Sequence, residues 1–154
     1  MDQDAIRAYV SETFDGVDAW VAGPGDGSPE IAWGDTFFIY DPERAFEGGW
    51  RMPFATIITK DYPDDDVSHL DRDGIFRLNI GIGKESFVSL LGDDLEVPRD
   101  MAALDTILPH PVYGRMHWVC VLNPSRETFE RLKPMLAEAY EGSVNRARKA
   151  GKVS

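Results

Sequence analysis

The stretch Ile75-Phe76-Arg77-Leu78-Asn79-Ile80-Gly81-Ile82 alternates between apolar and polar residues, which is typical of a half-buried β-strand. One face of this strand is expected to join the core through its apolar side chains, which are Phe76, Leu78, Ile80 and Ile82. Arg77 and Asn79 then point to the opposite face, where they either meet solvent or line a pocket. This strand therefore sets the buried face of the fold and also locates its most informative polar groups.

Aromatic and β-branched segments on both sides of this stretch predict further strands. These segments are residues 17–22, 36–40, 54–60 and 117–122. The glycine-rich run at residues 23–29 predicts a turn, so the first two of these strands are expected to form a hairpin. Consecutive strands without intervening helices favour an antiparallel sheet.

Helical periodicity appears at both ends of the chain. Residues 2–14 predict an amphipathic helix, residues 84–91 a short helix ended by Gly92, and a C-terminal helix is expected after a cap at Asn123 or Ser125. The predicted fold is α+β, a two-layer structure with a largely antiparallel sheet of about five strands and the N-terminal and C-terminal helices on one face. Without repeats or changes in composition, residues 1–154 are expected to form a single domain.

Composition limits the partners and the compartment. The formal net charge is −11 and the sequence pI is about 4.6, which argues against a nucleic-acid partner because such a chain repels phosphates. Cys120 is the only cysteine, so no internal disulfide can form, and the N-terminus lacks a signal-peptide pattern. We therefore expect a cytoplasmic protein, and no membrane association, since no apolar run approaches the ~20 residues of a membrane span.

Motifs for catalysis or cofactor binding are incomplete. The turn Gly81-Ile82-Gly83-Lys84 has Leu78 where a phosphate-binding loop needs its first glycine, so we interpret it as structural, with anion binding as the alternative. The acidic residues 61–73 lack calcium-loop spacing and predict a solvated loop, with weak divalent-ion binding as the alternative. Cys120 lies in the middle of a strand and is expected to be an inert core residue. No catalytic residue, metal or cofactor is assigned.

The long segment at residues 93–116 is the other candidate for a functional element, because loops of this length often carry function. It contains polar side chains close to the start of the next strand. Combined with the polar face of the Ile75–Ile82 strand, it yields a candidate ligand-binding set: Arg72, Arg77, Asn79, His110, Tyr113 and His117. The two arginines either bind a carboxylate or phosphate of a ligand or pair with nearby aspartates.

Three stretches carry a resemblance to a known family: Thr36–Pro42, Leu70–Gly81, and Pro109–Tyr113 continued through His117–Pro124. They resemble an uncharacterised bacterial family, mostly actinobacterial, which is classed only as a domain of unknown function. More distantly, His117-Trp118 and Tyr140 are similar to the MmcQ/YjbR-like group, in which a His-Trp pair opens the last strand before a C-terminal helix. That resemblance implies a compact fold similar to the frataxin-like one, and it implies DNA binding as a candidate role.

Three functional hypotheses follow. The first is a non-enzymatic binding or interaction module whose partner is an unknown small molecule or protein, and a homodimer is compatible with it. The alternative is a small hydrolase that uses His110 or His117 as a general base or metal ligand. A DNA-binding protein is a third hypothesis, against which the net charge of −11 argues.

Overall fold

Three α-helices and six β-strands make up the part of the chain that the computed structural model describes, residues 1–43 and 52–150. Short 3-10 helices cover Glu30–Ala32 and Gly114–Met116. In chain order the main elements are α1 (Gln3–Thr13), β1 (Val17–Val21), β2 (Thr36–Tyr40), β3 (Ala55–Ile58), β4 (Arg77–Gly81), α2 (Lys84–Leu91), β5 (Leu108–Pro109), β6 (Trp118–Leu122) and α3 (Arg126–Lys149).

The strands form one sheet in the order β1-β2-β3-β4-β6-β5, and every neighbouring pair is antiparallel. The predicted α+β class, the antiparallel sheet and the β1–β2 hairpin are confirmed. The sheet has six strands instead of about five, because β5 lies in the segment predicted to be irregular. β5 is only Leu108–Pro109, and two residues are too few to show a period in the sequence.

The core lies between the sheet and the helices. From α1 it includes Ile6 and Val10, and from α3 it includes Leu132 and Leu136. The predicted inner face of the central strand region is buried as expected, with these side chains in the core cluster: Phe76, Leu78, Ile80 and Ile82. Alternation in the sequence therefore identifies correctly which face of the sheet the helices cover.

Helix ends follow ordinary capping chemistry. The Asp2 carboxylate accepts a hydrogen bond from the Ala5 backbone N–H at 2.8 Å and begins α1. Of the two predicted caps of α3, Ser125 takes the role, since its Oγ accepts from the Thr128 backbone N–H at 3.1 Å. α2 has the predicted bounds, residues 84–91, and Gly92 follows it with a positive φ of 80°.

The face of the sheet opposite the core carries an indole packed closely on the backbone. Trp118 of β6 stands opposite Gly81 of β4 in the antiparallel register. A Cβ atom at Gly81 would lie 2.8 Å from Cε2 of the Trp118 indole. Glycine at this position therefore leaves the space in which the indole lies against the strand.

Substitution Gly81→Ala is expected to displace the Trp118 indole and to lower the free energy of unfolding by about 1–3 kcal/mol. Urea unfolding followed by fluorescence measures this change. Gly23→Ala is the matched control, because no heavy atom lies within 4 Å of a Cβ there, and we expect a change within about 0.5 kcal/mol. Equal stability of the two variants would contradict the proposed close packing.

Candidate functional site

Arg77 is the centre of a polar cluster on the face of the sheet opposite the core, and its side chain is fully buried. Its Nε donates to Asn79 Oδ1 at 2.8 Å, and its Nη1 donates to Ser68 Oγ at 2.9 Å. Its two terminal nitrogens also bind both oxygens of Asp65, at 2.9 and 2.5 Å. The guanidinium thus links β4 to the loop that contains Ser68 and Asp65.

The Arg77–Asp65 pair has the bidentate geometry in which guanidinium–carboxylate hydrogen bonds are strongest. Burial raises the pKa of Asp65, but the hydrogen bonds and the charge of Arg77, with a smaller effect of His110, outweigh it and hold the pKa below its ordinary value. The carboxylate is therefore ionised at neutral pH, and the two charges cancel.

The cluster extends across the sheet through a row of neighbouring side chains on β3, β4 and β6. Asn79 faces Thr56 of β3 on one side and Cys120 of β6 on the other. Asn79 Nδ2 donates to Thr56 Oγ1 at 3.0 Å. Burial raises the pKa of the Cys120 thiol to about 12, so the thiolate needed for nucleophilic attack is scarce at neutral pH.

His110 lies in the segment between β5 and β6 and is the last member of the cluster. Its Nδ1 accepts hydrogen bonds from the backbone N–H groups of Val112 and Tyr113, at 3.1 and 3.0 Å. We therefore assign the ring proton to Nε2, so its 3.2 Å contact with Nη2 of Arg77 joins two donors and is not a hydrogen bond. Burial and the charge of Arg77 lower the pKa of His110 to about 3, against the opposing effect of Asp65. The imidazole is thus uncharged at neutral pH.

A cavity of about 300 Å³ lies beside these groups. Its polar lining includes five residues of the cluster: Thr56, Asp65, Arg77, Asn79 and His110. Its apolar lining includes Phe37, Ile58, Val112, Met116 and Trp118. A second hollow, of about 360 Å³, adjoins it and shares His110 and Val112 as lining residues. The cavity combines an apolar wall with a small number of fixed polar groups, as small-molecule sites do.

Four of the six predicted site residues meet at this cavity: Arg77, Asn79, His110 and Tyr113. Arg72 and His117 lie elsewhere. Arg72 donates to the backbone carbonyl oxygens of His69 and Ala102 at 2.8 and 3.0 Å, so it joins two loops. The His117 ring packs against Phe87 of α2, with their centroids 5.6 Å apart.

Asp65, Thr56 and Trp118 belong to the site but were not predicted from the sequence. An arginine in the middle of an apolar strand signals a buried acidic partner, because a lone buried charge is costly. The sequence offers several aspartates in residues 61–73 and does not indicate which of them turns inward. Thr56 is opposite Asn79, a neighbour that becomes visible only once the strand register is known.

Most aspartates of the acidic loop are exposed, as predicted, but some of its carboxylates bind groups within the protein. Asp61 Oδ1 accepts from the Leu70 backbone N–H at 2.9 Å, and Asp65 is held by Arg77. The fully buried Asp35 accepts from Lys60 Nζ at 2.9 Å and from the Tyr62 hydroxyl at 2.5 Å. Within residues 1–43 and 52–150, no three His, Cys, Asp or Glu side chains lie close enough to hold a metal ion.

The glycine-rich turn before α2 is filled by the protein's own carboxylate. Glu138 of α3 accepts from the Gly83 backbone N–H and from the Ser86 hydroxyl, both at 2.5 Å. The structural interpretation of this turn therefore agrees with the contacts, since Glu138 occupies the position where an anion would bind.

Replacement of Arg77 by Lys is expected to lower the free energy of unfolding by about 2–4 kcal/mol, because one ammonium group cannot bind Asp65, Ser68 and Asn79 together. Chemical denaturation measures the loss. Arg126→Lys is the control, since Arg126 is exposed at the start of α3, and it should change stability by less than about 0.5 kcal/mol. A similar small effect of Arg77→Lys would argue against a structural role for the guanidinium fork.

The low pKa of His110 predicts a pH dependence of stability. Between the ordinary value of 6.5 and about 3, the unfolded chain binds a proton at His110 that the folded chain does not. The free energy of unfolding therefore falls with decreasing pH in this window, by up to about 1.4 kcal/mol per pH unit from this group.

His110→Asn should reduce this slope between about pH 7 and about pH 5, where carboxylates titrate little. The Asn carbonyl can replace Nδ1 as an acceptor for the backbone N–H groups of Val112 and Tyr113. His69→Asn is the control: His69 is exposed and has a φ of 53°, which Asn tolerates. The prediction fails if both variants keep the wild-type slope, as measured by urea unfolding at each pH.

Comparison with known proteins gives one match. The model of DUF6194, a family of unknown function, matches residues 1–152, while no curated protein and no solved structure is significantly similar to the chain. In the described part of the chain, none of the helices has the length and apolar character needed to cross a bilayer. Membership of an uncharacterised family, as the sequence predicted, is confirmed, whereas the similarity to the MmcQ/YjbR-like group stays a prediction. The chain belongs to the DUF6194 family of unknown function.

Proposed function

We propose that this protein is a non-enzymatic binding module that holds a small molecule in the cavity beside Arg77. The observation that carries this proposal is the cavity itself, with a volume of about 300 Å³, apolar walls and buried polar groups. A volume of this size lies at the lower end of the range typical of small-molecule sites.

Preorganisation of the polar groups supports binding. Arg77 is held by Asp65, Ser68 and Asn79, and Asn79 in turn by Thr56, so a ligand would not have to immobilise these side chains. The lining also contains large apolar side chains that are about half exposed or more: Met52, Tyr113 and Met116. A bound molecule would remove part of this apolar surface from water.

The environment of the histidines supports binding over hydrolysis. A general base needs a free lone pair and a pKa near the working pH. His110 offers neither, because Nδ1 accepts two backbone hydrogen bonds and its pKa is lowered to about 3 by burial and by the Arg77 charge. His117 packs against Phe87 instead of lining the cavity, so the two histidines do not act on one substrate.

Charge and thiol chemistry support the remaining parts of the proposal. We place the protein in the cytoplasm, where a single free cysteine such as the buried Cys120 stays reduced. A net charge of −11 opposes a nucleic-acid partner, since phosphate contact needs clustered basic groups.

A fragment screen by ligand-observed NMR tests the binding function. We expect hits whose signals respond to the wild-type chain and lose that response with Met116→Trp, because the larger side chain fills the mouth of the cavity. Val88→Trp is the matched control, since Val88 is an exposed residue of α2 that does not line the cavity. A screen without hits, or hits that bind both variants equally, would exclude a ligand at this site.

A further inference from the structure

We propose, building on the binding function inferred above, that the cavity selects an uncharged aromatic molecule with a hydrogen-bonding group, and that the Arg77–Asp65 pair excludes anions. A buried arginine in a cavity ordinarily indicates a carboxylate or phosphate ligand. The contacts of Arg77 instead argue against an anionic ligand, because most of its N–H groups already bind protein acceptors.

Most of the hydrogen-bonding capacity of Arg77 is already used. A guanidinium has five N–H donors: one on Nε and two on each terminal nitrogen. Four of them bind protein acceptors, namely Asn79, Ser68 and both oxygens of Asp65, and the fifth faces His110. To reach an N–H group, an anion in the cavity would have to displace Asn79, Ser68 or Asp65, or push aside the buried His110 ring, whose Nε2 lies 3.2 Å from Nη2.

The buried lining residues offer no free charge with which a charged ligand could pair. Arg77 and Asp65 cancel, and His110 is uncharged at neutral pH because its pKa is far below 7. Among the lining residues that the structure describes, the other charged side chain is Asp64, which is exposed and would repel an anion. A cation could pair only with Asp64, whose exposed carboxylate is screened by water, because both Asp65 oxygens are already bound. Burying an unpaired ligand charge here is therefore unfavourable.

The aromatic side chains that line the cavity favour a ligand with a flat apolar ring. Trp118 lies against the backbone at Gly81, and Phe37 and Tyr113 supply two further rings of the lining. Aromatic ligands gain from offset or edge contacts with such rings beyond simple burial. The hydroxyl of Thr56 and the amide of Asn79 are neutral polar groups of the lining, and they suit an amide-like or hydroxyl group on the ligand.

Three ligands of the same shape but different charge test this inference: benzamide, which is uncharged at neutral pH, benzoate, an anion, and benzamidine, a cation. Their naphthalene analogues extend the set to a larger ring. We expect the amides to bind the full chain most tightly and the carboxylates at least about tenfold more weakly, as measured by NMR titration followed on backbone amides. Equal or tighter binding of either charged series would overturn the inference while leaving the binding function intact. Absence of binding by all members, with no fragment hit, would overturn both.

Asp65→Asn tests the role of the ion pair directly. It keeps the side-chain shape and leaves the Arg77 charge uncompensated, so the affinity ratio of benzoate to benzamide should rise by about tenfold or more. Asp66→Asn makes the same change of charge at an exposed position outside the lining and should leave the ratio within about twofold. An unchanged ratio in folded Asp65→Asn would refute exclusion by the pair. If this variant does not fold, the relative affinities of the neutral and charged ligands for the wild-type chain test the inference on their own.

Discussion

The buried guanidinium of Arg77 is the constraint on which the rest of this face of the structure depends. It lies on β4, near the middle of the sheet, where its side chain is fully buried and its charge needs partners from the protein. Its hydrogen-bond acceptors Asp65 and Ser68 must therefore be brought to it by the loop before β4, and the His110 ring, from the segment before β6, packs beside it. Charge satisfaction, in addition to apolar packing, thus holds these loops over the sheet.

This constraint explains why the two faces of the sheet differ. The period of two along β4 places Leu78 and Ile80 under the helices and Arg77 and Asn79 on the other side. Helices cover the first face with closely packed apolar side chains, whereas loops fixed at a few polar contacts cover the second. Coverage of that kind leaves space between the contacts, and the cavity occupies this space. The location of the candidate site is therefore a consequence of which residues alternate on one strand.

Short sequence patterns predicted well those structural features that depend only on residues close together in the chain. The alternation at Ile75–Ile82, the bounds of α2 and the glycine-rich turn are all determined within a few residues. Four of the six predicted site residues line one cavity, because they lie on one strand face and one loop. The partner of Arg77 and the positions of Arg72 and His117 depend on contacts between distant segments, such as Arg72 with Ala102, and no short pattern encodes them.

The distribution of charge connects the acidity of the chain with the character of the site. The chain has 27 acidic and 16 basic side chains, and two of its cations, Arg77 and Lys60, are bound to the carboxylates of Asp65 and Asp35. Much of the acidic excess is exposed to solvent, where it repels anions before they reach the cavity. Inside the cavity, the Arg77–Asp65 pair carries no net charge that could attract a charged ligand. Because the field of the protein does not steer an uncharged molecule, the proposed ligand would have to be selected inside the cavity, through shape and hydrogen bonding.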